Sequence, residues 1–262
     1  MYPYPLFLGV DLYSILIGLA AVTALVIFAV FSNRRKLDAK YHNFILLNAV
    51  VTIVVGYGAS VAFQAVYNWL GGDKFEISMG TGATFLGGLL GGAACFLIFY
   101  YGVGHFVFKD GLNVKLMYPM LDVWAVCIPA AHSVGRLGCL CAGCCHGAQT
   151  DAWYGIYMVD LGYKVVPTQL FESLFLAALA TFLFIRAYKN KVGNLPLYMI
   201  IYGIWRFFAE YMRADDRGAT IVSFLTPSQL VSVLLIVGGI AVYFILYFRK
   251  NKNKPQEADG KE

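Results

Sequence analysis

The chain has 262 residues, of which 60% are apolar and 13% charged, with a net charge of +5. Soluble domains average roughly 45–50% apolar and about 25% charged residues, so a soluble globular fold is excluded. The apolar residues gather in runs of about 20, long enough to cross a hydrocarbon layer of roughly 30 Å as helix.

The first run, Leu12 to Phe31, has no basic segment before it and no small-residue cleavage site with a soluble remainder after it. It reads as a retained spanning helix and not as a signal peptide. Further runs near 44–68, 82–106, 117–134, 167–187, 195–213 and 226–248 bring the expectation to about seven spanning helices. The predicted architecture is an all-α polytopic membrane protein with a single domain over residues 1–250. The closing stretch 251–262 is polar and charged and predicts a disordered cytoplasmic tail.

Short loops rich in Lys and Arg stay cytoplasmic. Arg34, Arg35, Lys36 and Lys40 fall in one loop, Lys109 and Lys115 in another, and Lys189 and Lys191 in a third. These are alternate connections, and Arg249, Lys250, Lys252, Lys254 and Lys261 follow the last run. The amino terminus is thereby expected outside and the carboxyl terminus in the cytoplasm, with segments near 69–81, 135–166 and 214–225 outside. Net positive charge is then a topology signal, and nucleic acid is not an expected partner.

Lys74, Arg136, Lys164, Arg206, Arg213 and Arg217 do not fit that account. Charge within the hydrocarbon region costs several kcal/mol and usually faces a polar cavity or a partner. An isolated arginine at a helix end often only snorkels to headgroups. Here Tyr202, Arg206, Glu210, Arg213 and Arg217 recur at steps of three or four residues, which predicts one stripe on one helix. Glu210 is placed to pair with Arg206 and with Arg213 while leaving guanidinium donors free. Such a stripe suits either an anionic phospholipid headgroup or a structural ion-pair network.

A second motif runs Ala131-His-Ser-Val-Gly135-Arg136-Leu-Gly138-Cys139-Leu-Cys141-Ala-Gly143-Cys144-Cys145-His146-Gly147. It resembles the signature of the prolipoprotein diacylglyceryl transferases, with Gly135, Arg136, Gly138 and Gly147 matching in identity and spacing. The resemblance continues through Pro167-Thr-Gln169-Leu-Phe-Glu172, through Tyr202, Arg206, Glu210 and Arg213, through Ser228-Gln229-Leu-Val-Ser232, and through Phe85-Leu86-Gly87-Gly88-Leu89. It covers most of the chain in the same order.

The resemblance implies transfer of the diacylglyceryl group from phosphatidylglycerol, or another anionic phospholipid, to the lipobox cysteine of a preprolipoprotein in the bacterial inner membrane. Glycerol phosphate would leave, and neither metal nor soluble cofactor is implied. By match of position, Arg136 would bind the headgroup phosphate, and Arg206, oriented by Glu210, would stabilise the departing phosphate. Tyr202 would hydrogen-bond the same site, with Arg213, Gln169, Gly138, Gly147, Gly87 and Gly88 on the substrate-binding side. Backbone amides of the turn 135–147 could add donors. The glycines of the third span, Gly82, Gly87, Gly88, Gly91 and Gly92, fit either an acyl-chain groove or close helix packing.

The chain departs from the family pattern at Leu86, where the family carries a histidine, and at Cys139, Ala142 and Cys144, where it carries Asn, Asn and Glu. His132, four residues before Arg136, fits either a substitute base or a structural histidine. Cys139, Cys141, Cys144 and Cys145 fit disulfide staples, a metal site using the spacing Cys141-x-x-Cys144, or reactive thiols. Cys95 and Cys127 lie inside spans as inert core residues. Two rival functions follow: a membrane thiol–disulfide protein using the cysteine turn, and a lipid-binding or transport scaffold without covalent chemistry.

Overall fold

A computed structural model describes residues 5–7, 9–72, 74–78, 81–82, 84–213 and 224–252. The described chain is mostly helical. A short hairpin of β1 (Pro5–Phe7) and β2 (Val10–Asp11) leads into α1 (Leu12–Arg34). Asp11 caps α1 by accepting the Ser14 amide at 2.7 Å. Then come α2 (Ala39–Leu70), α3 (Phe85–Ile98), a π-helical turn over Phe99–Val103, α4 (Gly104–Val107) and α5 (Leu112–Ala142). An antiparallel hairpin, β3 (Ile156–Met158) and β4 (Tyr163–Val165), precedes α6 (Thr168–Tyr188), α7 (Asn194–Ala209) and α8 (Pro227–Lys252).

Among the described residues, six stretches are long and apolar enough to cross a membrane: α1, α2, Leu86–Val107, α5, α6 and Pro227–Phe248. The seventh expected run, 195–213, is the exception. Its helix α7 has 16 residues, about 24 Å of rise, and a 3₁₀ turn over Glu210–Met212 follows it. At the other end, α8 runs through Asn251 and Lys252, and the rest of the expected tail lies outside the described residues.

The chain divides into two compact units, one of Met1–Phe31 with Pro119–Glu262 and one of Ser32–Tyr118. In the second, α2 starts at Asp38, whose carboxylate accepts the amides of Lys40 and Tyr41. Helices α2 and α3 approach through small residues. A Cβ at Gly91 would lie 2.2 Å from the Ala59 Cβ, and one at Gly87 would lie 2.5 Å from the Phe63 Cβ. Gly56 meets Gly88 and Gly92 the same way. This is the close packing by which lipid-embedded helices gain dispersion contacts. The other unit holds α1, most of α5, and α6 to α8, and all of the arginines singled out above that are described.

Candidate functional site

Helix α5 runs to Ala142, eight residues past the expected end of its span. The expectation of a turn over 135–147 is therefore corrected: Arg136, Gly138, Cys139 and Cys141 are helical. Their amides belong to the helix ladder and offer no donors to a ligand. The turn proper is 143–147, where Gly143 and Cys145 hold left-handed φ of 75° and 62°. Gly138 lets α1 approach, since a Cβ there would meet Tyr13 and Leu16 at 3.3 and 3.4 Å.

Helices α5 and α6 are registered by a buried pair of serines. The Ser133 hydroxyl donates to the Ser173 carbonyl at 2.8 Å, and the Ser173 hydroxyl to the Ser133 carbonyl at 2.9 Å. One turn along α5 from this clasp, Arg136 Nε meets Glu172 Oε2 at 2.9 Å. Glu172 is 2% exposed, and its other oxygen accepts the Tyr202 hydroxyl at 2.9 Å. One carboxylate thus joins α5, α6 and α7. His132, a turn before Arg136, packs its ring edge-to-face on Tyr202 with centroids 5.6 Å apart. The Tyr202 ring also stacks on Tyr198.

The second centre forms where α7 meets α8. Gly203 and Gly239 let the helices close, with a Cβ at Gly203 falling 2.8 Å from Ile236. Arg206 Nη2 meets Glu210 Oε2 and the Ser228 hydroxyl, both at 2.9 Å. Helix α8 opens with a capping box: the Gln229 amide donates to Thr226 Oγ1, and the Thr226 amide to Gln229 Oε1. The same Thr226 hydroxyl donates to Glu210 Oε1 at 3.0 Å, anchoring the carboxylate that holds Arg206. Arg206 and Glu210 are 7% and 8% exposed.

The expected stripe stops at Glu210. Arg213 leaves the helix with extended backbone and pairs across to Gly147. Gly147 fits there because a Cβ would lie 2.4 Å from the Met212 carbonyl. The Arg213 side chain hydrogen-bonds the Cys145 thiol. Arg217 lies outside the described residues.

The turn itself is held from α6. Gln169 Nε2 donates to the Cys144 carbonyl at 2.5 Å, and Thr168 Oγ1 to the Cys145 carbonyl at 2.8 Å. His146 donates through Nδ1 to the Gly147 carbonyl. All six cysteines are free thiols. The sulfurs of Cys139, Cys144 and Cys145 lie within 4.8 Å of one another, a group that leaves out Cys141 of the Cys141-x-x-Cys144 spacing. Hydrogen bonds from the Cys139 and Cys144 thiols, then from Arg213, hold the Cys145 thiol below the usual thiol range. Hydrogen bonding to those neighbours and burial push the Cys144 thiol up.

Four expected residues, Arg136, Tyr202, Arg206 and Glu210, are thus built into two hydrogen-bonded polar centres within electrostatic reach of each other, with His132 against the first. Gly87 and Gly88 belong to the other unit, where they pack on α2. The apolar grooves beside that contact, of about 390 and 430 Å³, carry no charged lining. Glu172 was missed among the site residues although its motif was on view. A carboxylate in the first turns of an apolar helix was the available signal.

Six membrane-length helices, together with two buried arginine–glutamate pairs, mark a polytopic membrane protein with charge in its interior. The chain belongs to the prolipoprotein diacylglyceryl transferase family, whose model matches residues 4–245. It is 32% identical over 262 residues to phosphatidylglycerol–prolipoprotein diacylglyceryl transferase 2 of Clostridium perfringens, covering 95% of this chain and 94% of that one. It is similar to the phosphatidylglycerol–prolipoprotein diacylglyceryl transferases of Clostridium tetani, at 28% identity over 91% of the chain and 94% of the relative, and of Dehalococcoides mccartyi, at 30% over 96% and 93%.

Proposed function

We propose that the protein transfers the diacylglyceryl group of phosphatidylglycerol to the lipobox cysteine of a prolipoprotein, at the outer face of the bacterial cytoplasmic membrane. The observation that carries this reading is the buried network of Arg136, Glu172, Tyr202, Arg206 and Glu210 in a chain of this family. Charge buried inside a membrane bundle is expensive and is retained where it serves a substrate. Pairing each arginine with a carboxylate offsets the cost of burying it.

Each guanidinium keeps donors in reserve. Arg136 engages through Nε and Arg206 through Nη2, so the remaining nitrogens have no partner among the described residues. Those donors suit the two unesterified oxygens of a phosphodiester. Arg136 orients the headgroup, and Arg206 takes up the charge that grows on the leaving phosphate. Glu172 and Glu210 fix the two forks, and Tyr202 fixes Glu172. The buried Gln169 Oε1, without a partner among the described residues, is an acceptor for a headgroup glycerol hydroxyl. Arg213, Gly138 and Gly147 form the surrounding turn and its helix, and His132 is a positioning contact for Tyr202.

In the reaction the acceptor sulfur attacks the glyceryl carbon and the carbon–oxygen bond to phosphate breaks. The electron pair leaves on the phosphate oxygen. Lys and Arg in alternate loops support an amino terminus outside and a carboxyl terminus in the cytoplasm, with the short α7 counted as a seventh crossing.

The test is reconstitution with radiolabelled phosphatidylglycerol and a lipobox peptide. Wild type is expected to label the peptide and release glycerol phosphate, and Arg206→Ala to do neither. Absence of transfer by wild type, where an authentic relative works alongside, overturns the reading. Transfer that survives Arg206→Ala and fails in Cys144→Ser favours thiol chemistry on the same scaffold.

A further inference from the structure

The network leaves one requirement of the reaction unmet. The acceptor thiol has to lose a proton, yet Glu172 and Glu210 are each already engaged by an arginine. Beside the network stands a group of side chains with no part in it: the thiols of Cys139, Cys144 and Cys145.

We infer that Cys139, Cys144 and Cys145 form a three-thiolate site for a thiophilic divalent metal of the zinc class, whose fourth position takes the acceptor thiol; the second half of this rests on the transfer reading above. The three sulfurs converge within 4.8 Å although Cys139 ends a helix and the other two follow in the turn. A metal about 2.3 Å from each sulfur would set them roughly 3.8 Å apart, so closure takes a shift of about 1 Å at most. Three protein ligands with an open position make a site that can bind a substrate atom, whereas a closed structural site uses four.

The backbone is built to hold that convergence. The Cys144 amide donates to the Cys139 carbonyl at 3.2 Å, returning the chain onto the helix end. Gln169 and Thr168 fix the next two carbonyls from α6. Cys145 sits at a φ of 62°, a left-handed conformation that costs a residue with a Cβ about 1 kcal/mol or more. A strained residue held by so many contacts points to a function for its side chain. Arg213 hydrogen-bonds the Cys145 thiol, and its positive charge offsets the negative charge that three thiolates leave around a divalent ion. Cys139 and Cys145 are also within electrostatic reach of Arg136, so a sulfur held at the cluster lies near the phosphate donors.

The chemistry balances. The acceptor thiol coordinates the ion and releases its proton to water, because a coordinating thiol is deprotonated near neutrality. The bound thiolate attacks the glyceryl carbon, the carbon–sulfur bond forms, and the carbon–oxygen bond to phosphate breaks. The electron pair goes to the phosphate, which leaves on Arg136 and Arg206 as glycerol phosphate.

The experiment uses the full chain, purified in detergent under reducing conditions and loaded with Zn²⁺ or Co²⁺. Bound metal is measured directly, and the cobalt form is read by its sulfur-to-metal absorption. One equivalent with thiolate absorption is expected. Cys139→Ser, Cys144→Ser and Cys145→Ser each lose it while Cys141→Ser keeps it. A lipobox peptide, but not its serine analogue, changes the cobalt spectrum. Chelation lowers transfer on the order of a hundredfold, zinc restores it, and the remaining rate rises with pH toward a free-thiol value of about 8.5. A wild-type protein that binds neither ion, or that carries two of these cysteines as a disulfide when purified without reductant, overturns the site. If the three variants fail to fold, the wild-type metal content and cobalt spectrum still decide. Metal bound with chelator-insensitive transfer and no spectral response to peptide overturns the acceptor role alone. A peptide response without lipid transfer overturns the diacylglyceryl reading and leaves the metal site standing.

Discussion

Two helix contacts in this molecule solve the same problem in opposite ways. In the unit Ser32–Tyr118, α2 and α3 meet through Gly56, Gly87, Gly88, Gly91 and Gly92, with backbone against side chain and no charge. In the other unit, α5, α6, α7 and α8 meet around Arg136, Glu172, Arg206 and Glu210. Helices in lipid gain little hydrophobic drive from association, so close packing alone can hold a pair together. Buried ion pairs contribute uncertainly to stability and are costly to break. A bundle that uses the first device in one place and the second in another has a reason beyond stability for the second.

The largest effect should separate the two contacts outright. Arg206→Ala is expected to lower the rate of transfer at saturating lipid by 10² to 10³, on the order of what one transition-state donor supplies. Arg206→Lys should recover a part of it, since an ammonium cannot span two phosphate oxygens. Next in size is Glu172→Gln. The amide keeps an acceptor for Tyr202 but leaves Arg136 without its counter-charge, for a loss of up to about 3 kcal/mol in detergent unfolding. A raised KM for phosphatidylglycerol should accompany it. Smaller again is Gly91→Val, whose Cβ would collide with the Ala59 Cβ. Unfolding should ease by about 1–3 kcal/mol, with transfer per folded molecule unchanged. Loss of transfer in a folded Gly91→Val protein would erase the contrast between the two contacts.

Apolar runs made the spans legible because a membrane fixes helix length. The arginine pairing was half legible. Spacing of four residues on one helix predicted Arg206 with Glu210, which the structure has at 2.9 Å. The Arg136 partner was hidden because Glu172 lies 36 residues away on another helix. Helical spacing also carried the stripe too far. Nothing in the 3.6-residue period shows that the backbone turns extended at Arg213 to pair with Gly147. The grouping of the cysteines was hidden in the same way. Spacing left disulfide staples, a metal site through Cys141 and Cys144, and reactive thiols all open, and the sulfurs that converge once the chain reverses through Gly143 and Cys145 are those of Cys139, Cys144 and Cys145.

His132 gives the smallest expected effect and the finest discrimination. Its ring touches Tyr202 edge-to-face, and Tyr202 in turn donates to Glu172. His132→Phe keeps a ring of similar shape in that contact and removes every proton-transfer capacity. If the imidazole only positions Tyr202, transfer should fall by no more than about threefold, the scale of a lost contact worth roughly 0.5 kcal/mol. The pH profile should then keep its wild-type form. If His132 is the base for the acceptor thiol, the loss should instead reach 10² to 10⁴ and the limb of the profile near its titration should vanish. Because the thiol cluster and His132 would do the same work, the two variants cannot both be severe for the same reason. A severe His132→Phe with chelator-insensitive transfer would move deprotonation from the turn to α5, inside the network of the arginines.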